Sequence, residues 1–158
     1  MRIIIAKDAG YCFGVRDAVN MAYDAAEKYG DVYMLGDIVH NENVVNDLDK
    51  VGAKVVENID LIPKNKPVLF RAHGTVSNLL DSAKKKKMNI IDATCPLVLE
   101  IHNEVKKLSA DNRQIIIIGD HVHAEVIAIA DQVPNTIVIS TPEEARKLKK
   151  YKKAGVVS

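Results

Sequence analysis

Short apolar runs alternate along the whole chain with segments in which apolar residues recur at helical spacing. Gln114–Ile118 (Q-I-I-I-I) is typical of a buried central strand, whereas Val15–Tyr29 places apolar residues every three or four positions before Gly30. The predicted strands are Arg2–Ala6, Asp31–Leu35, Ala53–Glu57, Pro67–Arg71, Asn89–Asp92, Gln114–Ile118 and Thr136–Ile139. The predicted helices are Val15–Tyr29, Glu42–Val51, Val76–Met88, Pro96–Ser109, Ala124–Gln132 and Pro142–Tyr151. This alternation predicts an α/β fold with small, mostly parallel sheets.

The predicted elements group into two lobes. We expect residues 14–95 to form the first α/β lobe, with contributions from residues 1–13 and from a C-terminal continuation of the chain. Residues 96–158 would form the second lobe, and the break between Ser109 and Gln114 is another candidate for the boundary. The final run Ala154–Ser158 begins like one more strand.

Composition excludes several classes of protein. A net charge of +1 over 158 residues gives no general attraction to nucleic acid or to an anionic membrane. The chain has neither a membrane-spanning apolar run nor the layout of a signal peptide, and two cysteines do not make a disulfide framework. We therefore expect a cytoplasmic chain whose reduced thiols serve packing, metal binding or catalysis.

The residues able to do chemistry follow the predicted strands. Four of the five histidines and both cysteines do so, namely Cys12, His40, His73, Cys95, His121 and His123. The carboxyl ends of parallel strands share one edge of a sheet, where helix N-termini favour anions such as phosphate. The pattern predicts one site with thiolates, imidazoles and the carboxylate of Glu125. Its thiolates suggest zinc or an iron–sulfur cluster rather than Mg²⁺ or Ca²⁺.

Each of these residues also has a simpler interpretation. A lone cysteine usually packs as a small apolar side chain, and His121 is expected to be solvated. His102 lies inside a predicted helix, where a surface or packing role is expected. The shared position of six uncommon residues, rather than any one of them, favours a functional site.

Five motifs together carry a specific resemblance. They are A-G-Y-C-F-G-V-R-D-A-V, V-H-N-E-N-V-V, R-A-H-G-T, D-A-T-C-P-L-V and H-A-E-V-I, in that order along the chain. In order and spacing they resemble the motifs of the IspH/LytB family of 4-hydroxy-3-methylbut-2-enyl diphosphate (HMBPP) reductases. The resemblance implies two lobes of a three-lobed, trefoil-like enzyme.

The family reduces HMBPP to isopentenyl and dimethylallyl diphosphates in non-mevalonate isoprenoid biosynthesis. It uses a [4Fe–4S] cluster held by three cysteines, and it takes electrons from ferredoxin or flavodoxin. By position, the resemblance implies that Cys12 and Cys95 are cluster ligands and that His40, His73 and His123 bind the substrate. It implies that Glu125 relays the proton.

This sequence departs from the family pattern in places. Its third cluster cysteine would lie beyond residue 158, so we expect the 158-residue chain alone to be inactive. Ala124 and Ala128 stand where family members usually have Pro and Gly.

Two other hypotheses remain open at this point. One is a non-catalytic domain that binds a diphosphate, or zinc through Cys12, Cys95 and a histidine. The other is a plain α/β fold whose cysteines only pack.

Overall fold

The structure, a computed structural model, describes residues 1–7 and 9–158, so that residue 8 of the predicted segment 1–13 lies outside it. Its strands are β1 (Val32–Leu35), β2 (Ala53–Val56), β3 (Val68–Phe70), β4 (Ile90–Asp92), β5 (Gln114–Ile118), β6 (Ile137–Ile139) and β7 (Ala154–Val157). Its α-helices are α1 (Phe13–Tyr29), α2 (Glu42–Lys50), α3 (Ser77–Lys85), α4 (Pro96–Ala110), α5 (Ala124–Ala130) and α6 (Pro142–Arg146). A 3-10 turn covers Ile59–Leu61.

The strands form two parallel sheets. The first has the order β2-β1-β3-β4, and the second has the order β6-β5-β7. Every described pairing is parallel, which confirms the predicted α/β fold class with small parallel sheets. β5 lies in the middle of the second sheet, as its uninterrupted apolar run predicted, because a central strand is covered on both faces.

Two separate cores cover the faces of the first sheet. Leu69 joins the core beneath α1 and α2, whereas Val68 and Phe70 join the core beneath α3, because successive strand residues point to opposite faces. The second sheet has its own core, which includes Val105 of α4 and Ile117 of β5. Helix α4 packs against α5, β5 and β7, and so belongs with the second sheet. The division at residue 96 stays a prediction.

The predicted first strand is wrong. Residues 2–6 have no strand structure, and the side chains of Ile3, Ile4 and Ile5 are 72%, 78% and 81% exposed. A β-branched run has the propensity for a strand, but it forms one only where a neighbouring strand satisfies its backbone. No neighbouring strand pairs with these residues in the described part of the chain.

The last predicted helix is shorter than expected. α6 ends at Arg146 rather than at Tyr151, and it buries none of its residues. A short helix is stabilised mainly by an apolar face packed on a core, which α6 lacks. The following Lys147, Lys149 and Lys150 add like charges at neighbouring positions. In the described residues, no helix is long and apolar enough to cross a membrane.

Candidate functional site

Three histidines meet where the two sheets approach each other. The ring centroid of His40 lies 4.3 Å from that of His73 and 5.6 Å from that of His123, and the last two are 5.7 Å apart. They follow β1, β3 and β5, so the carboxyl ends of strands from both sheets build this histidine cluster. His121, which follows the same strand as His123, instead pairs its Nε2 with Oε2 of Glu144 at 3.0 Å.

Helix caps hold two members of the histidine cluster. His40 directly precedes Asn41, whose side chain caps α2 by accepting a hydrogen bond from the Val44 N–H at 3.3 Å. His123 itself caps α5, where its Nδ1 accepts from the Glu125 N–H at 3.3 Å. A neutral imidazole has one acceptor and one donor nitrogen, so Nε2 of His123 carries the proton. His40 and His123 are both exposed.

His73 is the half-buried member of the cluster. Burial, together with smaller contributions from the neighbouring His40, Arg71 and His123, lowers the pKa of His73 to about 4. His73 is therefore neutral at neutral pH, and its enclosed Nδ1 has no hydrogen-bond partner in the described part of the chain.

Arg71 adds a permanent positive charge beside the cluster. Its guanidinium lies against Gly36, where a Cβ would come within 3.1 Å of Nη1 of Arg71. Gly36 has a φ of +74°, which other residues adopt only with strain. Gly36 therefore permits both the turn after β1 and the close approach of Arg71.

The two cysteines occupy equivalent positions on different helices. Cys12 is the N-cap of α1 and Cys95 the N-cap of α4, and neither side chain makes a capping hydrogen bond. Both thiols are free, Cys12 being exposed and Cys95 half-buried. The predicted strand before Cys12 does not form. The position of this cysteine is therefore set by the start of α1 and not by the end of a strand.

Gly14 brings the start of α1 against Cys95. A Cβ at Gly14 would lie 2.5 Å from Sγ of Cys95, a distance that no real Cβ tolerates. The two cysteine-bearing helix starts are therefore neighbours, as a shared ligand would require. Within the described residues, no three His, Cys, Asp or Glu side chains are grouped to hold a metal ion.

Glu125 lies in the first turn of α5, two residues after His123. It is half-buried, and its N–H donates a hydrogen bond to Nδ1 of His123. The roles predicted for Glu125, the histidines and the cysteines stay predictions.

Sequence reasoning missed several contacts that shape this region. Arg71 stands out in the sequence only as part of the R-A-H-G-T motif. The glycine at position 14 is the only feature of the sequence that could have indicated the contact of Gly14 with Cys95. Asp131 accepts a 2.5 Å hydrogen bond from the Ser77 N–H and so links α5 to the start of α3. The two residues are 54 positions apart, and no local pattern connects them.

Comparison with known proteins identifies the family. The family model described as LytB protein matches residues 3–158. The chain belongs to the LytB family. A 4-hydroxy-3-methylbut-2-enyl diphosphate reductase of Geobacter sulfurreducens is 40% identical over all of this chain and 56% of that protein. One of Clostridioides difficile is 41% identical over 94% of this chain and 54% of that protein.

Solved structures agree with this LytB assignment. An E-1-hydroxy-2-methyl-but-2-enyl-4-diphosphate reductase from Plasmodium falciparum superposes with a TM-score of 0.90 at 30% identity, over 96% of this chain and 49% of that one. An (E)-4-hydroxy-3-methyl-but-2-enyl diphosphate reductase gives a TM-score of 0.86 at 31% identity, over 99% and 57%. The chain thus spans about half the length of the relatives it matches.

Proposed function

We propose that this chain forms part of an HMBPP reductase. The reaction adds two electrons and two protons to HMBPP, breaks its allylic C–O bond and releases water with isopentenyl or dimethylallyl diphosphate. The observation that carries the proposal is the cluster of His40, His73 and His123, whose centroids lie 4.3–5.7 Å apart. Membership of the LytB family and the names of the relatives support it.

The histidine cluster suits a diphosphate. Three imidazoles present several N–H donors within the width of one diphosphate, and charge-assisted hydrogen bonds to phosphate are among the strongest that neutral donors make. His123 has its proton on Nε2, away from the α5 backbone, and is free to donate it. Arg71 contributes positive charge from the side of the first sheet. These residues would bind and orient the anionic end of the substrate.

Glu125 would deliver the proton. Loss of a hydroxyl group requires a proton, since hydroxide is a poor leaving group. Glu125 lies in the first turn of α5, which His123 caps, so a substrate held by His123 would have its other end near this helix. Glu125 would act as the general acid.

The cysteine positions fit two ligands of a [4Fe–4S] cluster. Cys12 and Cys95 have free sulfurs at neighbouring helix starts, and Gly14 leaves room beside Cys95. When bound, such a cluster supplies electrons and a Lewis-acidic iron for the hydroxyl group. These 158 residues contain two cysteines, so a third thiolate would have to come from elsewhere.

The proposal extends to the organisation of the whole enzyme. Residues 14–95 and 96–158 would be two of its three lobes, with residues 1–13 joined to the first. The electron donor would be ferredoxin or flavodoxin, and the reaction would take place in the cytoplasm.

A chimera tests the proposal. This chain replaces the matching part of the Geobacter sulfurreducens relative, and anaerobic HMBPP consumption is measured after cluster reconstitution. We expect activity, and a loss of about 10²–10⁴-fold in Glu125→Gln, the usual contribution of a general acid. Glu104→Gln, on the exposed side of α4, is the matched control and should keep full activity.

Two results would contradict the proposal. One is a folded chimera that holds four irons and binds pyrophosphate but does not consume HMBPP, which would favour the non-catalytic alternative. The other is a Glu125→Gln chimera as active as its parent.

A further inference from the structure

The loop between β5 and α5 ends at His123 of the histidine cluster. The two residues that α5 buries, Ala128 and Ile129, both lie in the C-terminal half of this seven-residue helix. The first turn, which carries Glu125, is covered less by the core. Its placement, and that of His123 before it, therefore depends also on how the loop is held.

Hydrogen bonds inside the loop give it the shape of a tight turn. Oδ1 of Asp120 accepts from the Val122 N–H at 3.0 Å, and the Asp120 carbonyl accepts from the His123 N–H at 3.1 Å. An aspartate that bonds the backbone two residues on is typical of such turns. Both bonds stay within residues 120–123, so they fix the shape of the loop but not its orientation.

His121 attaches the loop to another element. Its Nε2 lies 3.0 Å from Oε2 of Glu144, which belongs to the first turn of α6. In the described part of the chain, this is the one hydrogen bond recorded between residues 120–123 and an element other than α5. A carboxylate only accepts hydrogen bonds, so Nε2 of His121 carries the proton and donates it.

The carboxylate of Glu144 is itself held in place. The same Oε2 accepts from the Ser140 N–H at 2.7 Å and from the Ser140 hydroxyl at 3.3 Å. The backbone N–H of Glu144 donates to Oγ1 of Thr141 at 3.2 Å. The Ser140 N–H and, after it, His121 lower the pKa of Glu144, so the carboxylate is ionised at neutral pH. Glu144 is thus a fixed, permanent acceptor for the loop.

We propose that Glu144 is a positioning residue for His123: through His121 it holds the β5–α5 loop so that the three rings of the histidine cluster meet. The centroid of His123 lies 5.6 Å from that of His40 and 5.7 Å from that of His73, both of which follow strands of the first sheet. An exposed pair of this kind adds little to overall stability, but it restricts where the loop can lie. The effect on a ligand rests on the proposed diphosphate site, whereas the effect on the loop does not.

Nitrogen-15 relaxation of the loop amides tests the hold on the loop. We expect order parameters of about 0.85 in the wild-type chain, as for rigid backbone, and below about 0.6 in Glu144→Ala. His121→Ala, which leaves α6 unchanged, should loosen the loop equally, and the double variant should loosen it no further. Glu144→Gln keeps one carbonyl oxygen for both donors and should restore the wild-type values. Glu143→Ala is the matched control and should change nothing, because Glu143 pairs with Arg146 of the same helix.

Binding of inorganic pyrophosphate, measured by calorimetry on the same proteins, separates positioning from charge. Loss of a negative charge should by itself strengthen the binding of an anion. In Glu144→Ala we expect the opposite, about fivefold weaker binding, since the loop would spend only about a fifth of its time in the binding conformation. Glu144→Gln loses the same charge but keeps the acceptor, and it should bind at least as tightly as wild type.

Two results would overturn the positioning role. One is a folded Glu144→Ala whose loop order parameters equal those of the wild-type chain. The other is a Glu144→Ala with a loosened loop that still binds pyrophosphate as tightly as Glu144→Gln. If the loop loosens as expected but the wild-type chain does not bind pyrophosphate, the proposed diphosphate site fails while the hold of Glu144 on the loop stands.

Discussion

Substitution of Gly14 by alanine puts one methyl group into the contact between the two cysteine-bearing helix starts. The new Cβ would lie 2.5 Å from Sγ and 3.2 Å from Cβ of Cys95. Comfortable contacts between such atoms begin at about 3.5 Å. The sulfur or the start of α1 must therefore move by about 1 Å, in a place where Gly14 is buried.

The size of the effect follows from two opposing contributions. Overpacking of a buried contact costs about 1–3 kcal/mol. Replacing glycine by alanine within a helix stabilises the folded chain by up to about 1 kcal/mol, because alanine leaves the unfolded chain less conformational freedom. We expect Gly14→Ala to lower the free energy of unfolding by about 1–2 kcal/mol.

Removal of the sulfur should abolish or reverse the destabilisation caused by Gly14→Ala. In a Cys95→Ala background the 2.5 Å contact is gone, and a shift of a few tenths of an ångström relieves the remaining one. Gly14→Ala should then be neutral or stabilising, whereas in a Cys12→Ala background, the matched control, it should stay destabilising. Urea unfolding of the six proteins measures the coupling between Gly14 and Cys95. A coupling below about 0.3 kcal/mol would refute the packing argument.

Two further predictions concern His73 and Asp131. The pKa of His73 is about 4 in the folded chain and near 6.5 when unfolded, so the unfolded state takes up the proton first and stability falls as the pH drops from 6.5 to 4. Allowing for solvent screening of a half-exposed ring, we expect His73 to account for about 1–2 kcal/mol of that fall. Urea unfolding of His73→Gln between pH 6.5 and 4 should therefore show a smaller loss of stability than the wild type. Asp131→Ala removes the acceptor for the Ser77 N–H and should cost about 0.5–1 kcal/mol in thermal unfolding, whereas Asp131→Asn, which keeps a carbonyl acceptor, should cost less. An equal loss in both Asp131 variants would show that the hydrogen bond is not the cause.

The sequence predicted an element correctly where the local residue pattern matches the position of that element in the folded chain. β5 was predicted with its observed bounds because a short, β-branched apolar run such as Q-I-I-I-I is typical of a buried strand. The start of the last helix at Pro142 was also predicted correctly, and the structure caps it by a hydrogen bond from the Glu144 N–H to Thr141. The meeting of His40 and His73 followed from one rule, that the parallel strands of a sheet place their carboxyl ends on one edge. His123 follows β5 of the second sheet, so this rule does not account for its approach to the other two histidines.

Prediction failed where the outcome depends on a partner distant in the chain. Arg2–Ala6 has strand propensity but no strand to pair with, and α6 has a good cap but no apolar face to bury. The burial of His102 depends on Gly74, 28 positions earlier and on another element. Helical spacing places His102 in line with Val98 and Val105, but it does not say what covers that row.

The exposed isoleucines near the N-terminus also bear on how copies of this chain behave in concentrated solution. A run of β-branched residues with open backbone is a template for pairing between molecules, the starting point of aggregation. Ile3, Ile4 and Ile5 lie between Arg2 and Lys7, so identical runs carry like charges at both ends whether they align in parallel or antiparallel. Charges in these flanking positions oppose self-association. Because salt screens such repulsion over about 8 Å at physiological strength, the solubility of this chain should fall as salt is added.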